Sequence, residues 1–237
     1  MKRLFKHILK YYGYEIRKPS LREDHLKRRM KLIDTYNINT ILDVGANTGQ
    51  YGIIMRAIGF NGRIVSFEPV NKSFQELLIT IKNDKNWTAL NYALGNSDGT
   101  TLINIAGNSV SSSILDMLPS HINHRPVSKY VDKELININK LDTIFESIVK
   151  VNDINLLKID TQGFEYNILE GASYSLSRIK GIQLEMSLEP LYDKEKSMCE
   201  MIDYLLNKGF KLMSIEPGSV DLENGQMFQV DGIFIKS

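Results

Sequence analysis

Short apolar runs alternate along the chain with segments whose apolar residues recur every three to four positions, the mark of strands alternating with helices. Thr40–Val44 is the first such run, followed by a helical pattern near Gln50–Ile58. Arg63–Phe67 is the second strand, closed by Glu68-Pro69, and a helix is expected over about Lys72–Asn83 with Pro69 near its start, where proline is tolerated. Thr88–Tyr92 follows, then the turn signal Asn96-Ser97-Asp98-Gly99 and an antiparallel strand over Thr100–Ala106. Residues 107–130 have no clear period, and an irregular stretch of that length inside a domain is usually functional or mobile. A short strand (Glu134–Ile138), a helix (Leu141–Ile148), a buried-type strand (Ile154–Ile159) and a helix with Leu169 on its inner face come next. Lys180–Ser187 is a further strand. Met198–Leu206 is a helix with Met201, Ile202, Leu205 and Leu206 on one stripe, ending at Gly209. Phe210–Ile215 and Phe228–Ile235 form a terminal hairpin. The pattern predicts an α/β domain over residues 37–237: a mostly parallel sheet with helices on both faces and a C-terminal antiparallel hairpin.

Residues 1–36 read as a basic helical appendage. Within residues 1–16, Leu4, Phe5, Ile8, Leu9 and Tyr12 lie on one helical face, and Lys2, Arg3, Lys6 and Lys10 lie mostly elsewhere. Over residues 1–18 this fits peripheral docking on an anionic membrane surface. It fits better a helix packed on its own domain or on a second copy, since basic amphipathic patterns are more often solvated faces, so a homo-oligomer stays open. A second helix, about Arg22–Tyr36, offers Leu26, Met30 and Ile33 to the sheet.

Composition narrows the class. Of 237 residues, 43% are hydrophobic and 24% charged, ordinary values for a globular chain able to bury a large core. The net charge of +1 divides into +8 over residues 1–31 and −7 over the rest, which argues against a nucleic-acid-binding face on the main body. The single Cys199 excludes an intrachain disulfide framework, and no apolar run approaches the roughly 18 residues of a membrane span. With no signal-peptide pattern, a cytoplasmic location is expected, with the basic helix allowing association with the inner membrane face.

The chemistry gathers at strand ends. Asp43-Val44-Gly45-Ala46-Asn47-Thr48-Gly49-Gln50-Tyr51 is a strand–turn–helix joint, where open α/β sheets bind nucleotide-like ligands. Ala46-Asn47 stands where a dinucleotide site wants its second glycine, which favours a ligand without pyrophosphate, such as S-adenosylmethionine (SAM). The Gly45 turn and the following helix N-terminus are expected to offer backbone N–H groups to a carboxylate. Asp43 would complement the cationic part, and Glu68 would accept hydrogen bonds from both ribose hydroxyls. Asn47, Gly49, Tyr51, Pro69, Asn91 and Ala93 complete the expected cofactor set, together with Asp160.

Asp160 ends the Ile154–Ile159 strand and Glu185 ends the next; taken singly, Asp43 and Glu68 could equally be turn- or helix-capping carboxylates. Lys158, mid-strand among apolar residues, reads as a structural ion-pair partner, and Trp87 as a packing residue. His121 and His124 form an H-x-x-H string with no helical period and with Pro126 close behind. A metal site, a loop histidine acting as base and ordinary surface histidines are the three readings, and no metal is assigned. Ser111–Ser113 read as a substrate- or cofactor-side loop, or as a flexible turn.

Five stretches together resemble the successive signatures of the FkbM-type methyltransferases. They are Asp43-Val44-Gly45-Ala46-Asn47-Thr48-Gly49, Phe67-Glu68-Pro69, Leu157-Lys158-Ile159-Asp160-Thr161-Gln162-Gly163-Phe164-Glu165, Gln183-Leu184-Glu185-Met186-Ser187 with Leu191-Tyr192, and Gln229-Val230-Asp231-Gly232-Ile233-Phe234. The resemblance runs from about Thr40 to the C-terminus. It implies a class I SAM-dependent methyltransferase fold (Rossmann-like), SAM as methyl donor, and an oxygen of a sugar or natural product as the usual acceptor. Gln162 departs from the pattern, since many relatives carry Glu there. The expectation is a sugar O-methyltransferase of bacterial polysaccharide or glycoconjugate assembly. A natural-product or lipid-linked acceptor, or a non-catalytic SAM-binding protein, are the alternatives. Asp160 is the expected base or hydroxyl-orienting group, with Glu165 and Glu185 behind it; Glu165 in a helix's first turn has a simple structural reading as well. Ser111, Ser112, His121, His124, Gln162 and Tyr192 are the candidates for contact with the acceptor.

Overall fold

A computed structural model describes residues 20–221 and 224–236, with Leu9 and Tyr11, the side chain of His124 excepted. The helix expected over residues 1–16 lies outside the described residues except for Leu9 and Tyr11, which are helical. Among the described residues no helix is long and apolar enough to cross a membrane.

Seven strands form one sheet in the order β3-β2-β1-β7-β8-β10-β9. They are β1 (Thr40–Val44), β2 (Arg63–Phe67), β3 (Trp87–Leu90), β7 (Asn155–Ile159), β8 (Ile179–Ser187), β9 (Phe210–Pro217) and β10 (Gln229–Lys236). β3, β2, β1, β7 and β8 run parallel, and β10 runs antiparallel to both β8 and β9. Every residue of β1 and of β7 is buried, as central strands covered on both faces require. The chain leaves β1 in one direction, through β2 to β3, and later returns on its other side as β7. That reversal puts the crevice of the sheet between the carboxyl ends of β1 and β7.

Helices α1 (His25–Thr35), α2 (Gln50–Ala57), α3 (Asn71–Ile81), α4 (Pro119–His124), α5 (Leu141–Ile148), α6 (Glu165–Glu170) and α7 (Met198–Asn207) complete the order. Two apolar clusters cover the two faces. One gathers Leu42, Val44, Phe67, Phe145, Leu157 and Leu184, the other Ile33, Ile41, Met55, Ile64, Trp87 and Leu156. The amphipathic pattern of α7 is realised with a capping box between Ser197 and Glu200 and with Met201 and Leu205 buried, but Leu206 is 48% exposed and lies off the buried stripe.

The irregular middle of the chain is more ordered than its sequence pattern suggests. β4 (Ala93–Leu94), β5 (Gly99–Ala106) and β6 (Tyr130–Asn139) make a second, three-stranded sheet in the order β4-β6-β5. β6 extends the expected Glu134–Ile138 strand by four residues at its start, where Tyr130–Lys133 are mostly exposed and carry no apolar alternation. Residues 119–124, expected to lack a helical period, form α4; six residues are too few to display one.

Candidate active site

Side chains alternate across the pleat of a strand. Leu42 and Val44 of β1 therefore join one apolar cluster while Ile41 joins the other, and Asp43 shares the face of Ile41. The register then aligns polar residues across the sheet on that face. Asp43 lies beside Ser66 of β2 and Lys158 of β7, and Lys158 beside Gln183 of β8. Two residues along β8, Glu185 lies beside Asp231 of β10, which faces Glu216 of β9. Two helices add partners to this row. Tyr51 of α2 donates its hydroxyl to Gln183 Oε1 at 2.8 Å, and Arg29 of α1 pairs with Glu216. The Arg29 guanidinium also lies over the Tyr51 ring at 5.2 Å.

Above this row opens a cavity of about 360 Å³ at the β1–β7 crevice, a size typical of a small-molecule site. Among the described residues its charged lining is Arg29, Glu68, Lys158, Asp160 and Asp231, and its apolar wall includes Val70, Leu94, Val110, Ile114 and Phe164. Lys158 Nζ sits 3.3 Å from Asp43 Oδ1 and 3.5 Å from Asp160 Oδ2. Burial works against the charge of Lys158, but the two carboxylates raise its pKa above the usual lysine range. The expected structural ion pair is therefore present, and it is shared between two acids. Those acids differ sharply: Asp43 has no exposed side-chain surface, whereas Asp160 keeps 38%.

Gln162 is the hub of the Asp160 side. It holds a left-handed backbone (φ 58°), and its carbonyl accepts from Ser113 Oγ at 2.7 Å. Its Nε2 donates to Asp160 Oδ1 at 3.0 Å and to Glu185 Oε2 at 2.7 Å, and its Oε1 accepts from the Tyr192 hydroxyl at 2.8 Å. Gln229 Nε2 also donates to Glu185 Oε2, at 2.8 Å. Burial, with Asp160, Glu165 and Asp231 nearby, holds the Glu185 carboxyl well above the ordinary range, and burial beside Asp160 pushes Asp231 up to about 6.

At the β1 end the turn is closed on itself. The amides of Gly45 and Ala46 donate to the Phe67 carbonyl, that of Asn47 to Glu68 Oε2, that of Thr48 to Asn47 Oδ1, and that of Gly49 to the Ala46 carbonyl. The expectation that the Gly45 turn presents free N–H groups to a carboxylate is thus corrected, because these five amides already have partners within the chain. Glu68 accepts one amide on each oxygen, from Asn47 and from Val70, both at 2.8 Å, which leaves further lone pairs on both oxygens. Burial nevertheless pushes its carboxyl up to about 7.

Of the expected cofactor residues, Gly45, Asn47, Tyr51, Glu68, Pro69, Ala93 and Asp160 line the cavity. Asp43, Gly49 and Asn91 do not. Asp43 is held beneath by Lys158 and Ser66, Gly49 caps α2 with φ 95°, and the Asn91 amide donates to the carbonyls of Glu68 and Pro69. Of the expected acids, Asp160 lines the cavity and Glu165 and Glu185 do not. Glu165 accepts from the Thr161 amide at 2.8 Å and the Gly163 amide at 3.3 Å, so it clamps the turn after β7, and burial pushes it up to about 8. Ser112 and Gln162 line the cavity; Ser111 turns inward to Ser128 and Asn108. Tyr192 is fully buried, and His121, for which an ordinary surface histidine was one of three readings, is 6% exposed with its ring edge-on to Tyr192. The His124 side chain falls outside the described residues. Sequence reasoning missed Arg29, Gln183 and Asp231, which reach the cavity only through the register of β8, β9 and β10 and the seating of α1. The alternation of Gln183 with Leu184, and of Asp231 with Val230, is the signal that would have placed both on the Lys158 face.

The profile of the methyltransferase FkbM domain matches residues 43–212, and the chain belongs to that family. A search of curated proteins found no match. Among solved structures the chain is similar to magnesium protoporphyrin IX methyltransferase from Synechocystis PCC 6803 with bound SAM (10% identity, 100% of this chain and 97% of that one, TM-score 0.49). It is also similar to Streptococcus pneumoniae Sp1610 in complex with S-adenosyl-L-methionine (13% identity, 89% and 72%, TM-score 0.48). A third is an rRNA methylase from Streptococcus thermophilus (10% identity, 84% and 87%, TM-score 0.44).

Proposed function

Taking the chain as a SAM-dependent methyltransferase of the FkbM family, we propose that it transfers a methyl group to a hydroxyl of a sugar-like acceptor, in polysaccharide or glycoconjugate assembly. The donor set of the cavity suits SAM. Asp160 and Asp231 answer its cationic end, the remaining lone pairs of Glu68 answer ribose hydroxyls, and the wall of Val70, Leu94, Ile114 and Phe164 answers a flat ring. When bound, SAM supplies a methyl group on a sulfonium that leaves as a neutral thioether.

The observation that carries the reading is Asp160: a carboxylate at a central strand end, open to the cavity, and fixed from both sides by Lys158 Nζ and Gln162 Nε2. A hydroxyl accepting a methyl must release its proton, and a carboxylate oriented in this way takes it as the new carbon–oxygen bond forms. Asn47, Ser109, Ser112 and Gln162 line the same cavity with short polar groups that suit a hydroxylated acceptor. The −7 charge of the chain beyond residue 31 favours a neutral acceptor over a polyanion.

The test is Asp160→Asn, read by calorimetry with SAM and by single-turnover formation of S-adenosylhomocysteine on a hydroxylated acceptor. Turnover should fall by about 10²–10⁴-fold while SAM affinity stays within about tenfold. Unchanged turnover removes Asp160 from the reaction. For the acceptor, glycans of producing cells with and without the protein should differ by one methyl-for-hydrogen increment; identical glycans remove the sugar reading.

A further inference from the structure

SAM carries both an ammonium and a carboxylate. The ammonium has candidate partners in Asp160 and Asp231, but the Gly45 turn offers the carboxylate nothing, because the amides of residues 45–49 all donate within the chain. Among the described residues two cations line the cavity, Lys158 and Arg29. Lys158 is already divided between Asp43 and Asp160. Arg29 is not so committed. It is 7% exposed, one terminal nitrogen pairs with Glu216, and the other makes only a 3.9 Å contact with Met55 Sδ. Its Nε, fully buried, has no hydrogen-bond partner, although a guanidinium carries five N–H donors. A buried arginine with unfilled donors on a cavity wall is a receptor for a planar anion.

We propose that Arg29 binds the carboxylate of the methionyl part of SAM, completing the cofactor site from a helix that precedes the family domain. This rests on the SAM reading above and adds to it the residue that recognises one end of the ligand. Arg29 precedes the matched span of 43–212, and its anchor Glu216 follows it, so this end of the cavity is built by the flanks of the chain. The Tyr51 ring under the guanidinium and the Glu216 carboxylate at one corner fix the plane of the fork.

The experiment uses the full chain and two probes that differ by the amino-acid group: S-adenosylhomocysteine and 5′-methylthioadenosine, titrated by calorimetry into wild type and Arg29→Gln. The substitution should weaken S-adenosylhomocysteine about 10–100-fold, the range of a lost charge-assisted pair, and leave 5′-methylthioadenosine within about twofold. Equal loss of both probes means that Arg29 only supports the fold, and loss of neither means that it does not touch the ligand; each result overturns the proposal. A second arm needs no variant. Decarboxylated SAM lacks only the carboxylate, and wild type should bind it at least about tenfold more weakly than SAM. Equal affinity for the two overturns the proposal while leaving SAM binding intact. Absence of any SAM binding by wild type would instead remove the underlying SAM reading.

Discussion

The two ends of the crevice are built on opposite principles. At the β1–β2 end, backbone amides do the holding: Glu68 is gripped by two of them, and the other amides of the turn from Gly45 to Gly49 close on the carbonyls of Ala46 and Phe67 and on the Asn47 side chain. At the β7–β8–β10 end, side chains do it. Asp160, Glu185 and Asp231 crowd together and are kept apart by Lys158, Gln162 and Gln229. A backbone-held site tolerates exchange of side chains but not a change in the path of the chain. A site held by side chains keeps its path and fails when one donor becomes an acceptor. The first suits a constant ligand such as SAM, the second a proton-accepting centre whose charge must be tuned.

The sharpest way to break this contrast is at Gly45, where the two ends touch. Its φ of 76° is unfavourable for any other residue, and an added Cβ would lie 1.9 Å from the Asp160 carbonyl oxygen. Relief requires the β1 and β7 turns to part. Gly45→Ala should abolish measurable SAM binding in calorimetry and lower thermal stability by several kcal/mol. Near-normal SAM affinity in that variant would show that the β1 turn is not the rigid element described.

The same contrast decides what the sequence could tell. The five-residue runs of β1 and β7 announce buried central strands, and Gly45, Glu68 and Asp160 follow from local position at their ends. Lys158 among apolar residues announces an ion pair, but its sharing between Asp43 and Asp160 depends on a parallel register 115 positions apart in the chain. Arg29 was unreadable for the same reason, and Asp231 showed only its alternation with Val230, which gives its face of the strand but not its neighbours across the sheet. Nothing local distinguishes Arg29 from the basic residues around it, and only Tyr51 and Glu216 make it a cavity residue. His121 is buried because Tyr192, far along the chain, packs across it. The fold was therefore readable wherever periodicity is local, and the site wherever a residue's role comes from its own strand end.

Gln162 is the next largest test. In Gln162→Glu the two N–H bonds to Asp160 and Glu185 are lost and a further carboxylate enters the cluster. The cost should be about 2–4 kcal/mol in urea unfolding at pH 8.5, since each is a hydrogen bond to a charged or strongly polar acceptor. It should shrink at pH 5.5, where a shared proton replaces the amide hydrogen. A loss independent of pH would mean that Gln162 acts through packing alone, and the two ends of the crevice would then differ less than proposed.

The smallest effect is in the pH dependence of stability, and it separates the two ends by window. Glu68 at the first end is raised to about 7, and Glu165, which clamps the turn after β7, to about 8, both mainly by burial. A carboxyl raised by folding keeps a proton that the unfolded chain has released. Between the unfolded value near 4.5 and the folded value, the native state holds more protons, so the free energy of unfolding falls as pH rises. Stability should therefore decline from pH 5 to pH 8. Below 7 both groups contribute, joined by Asp231 below 6 and by Glu185; between 7 and 8 the slope belongs to the β7–β8 side, at about 1 kcal/mol per pH unit for one group. Urea titrations should show Glu165→Gln flattening the decline above pH 7 and Glu68→Gln flattening it only below. Should Glu68→Gln remove the slope above pH 7 instead, the charge-tuned end of the crevice would be the β1–β2 end, and the contrast would be reversed.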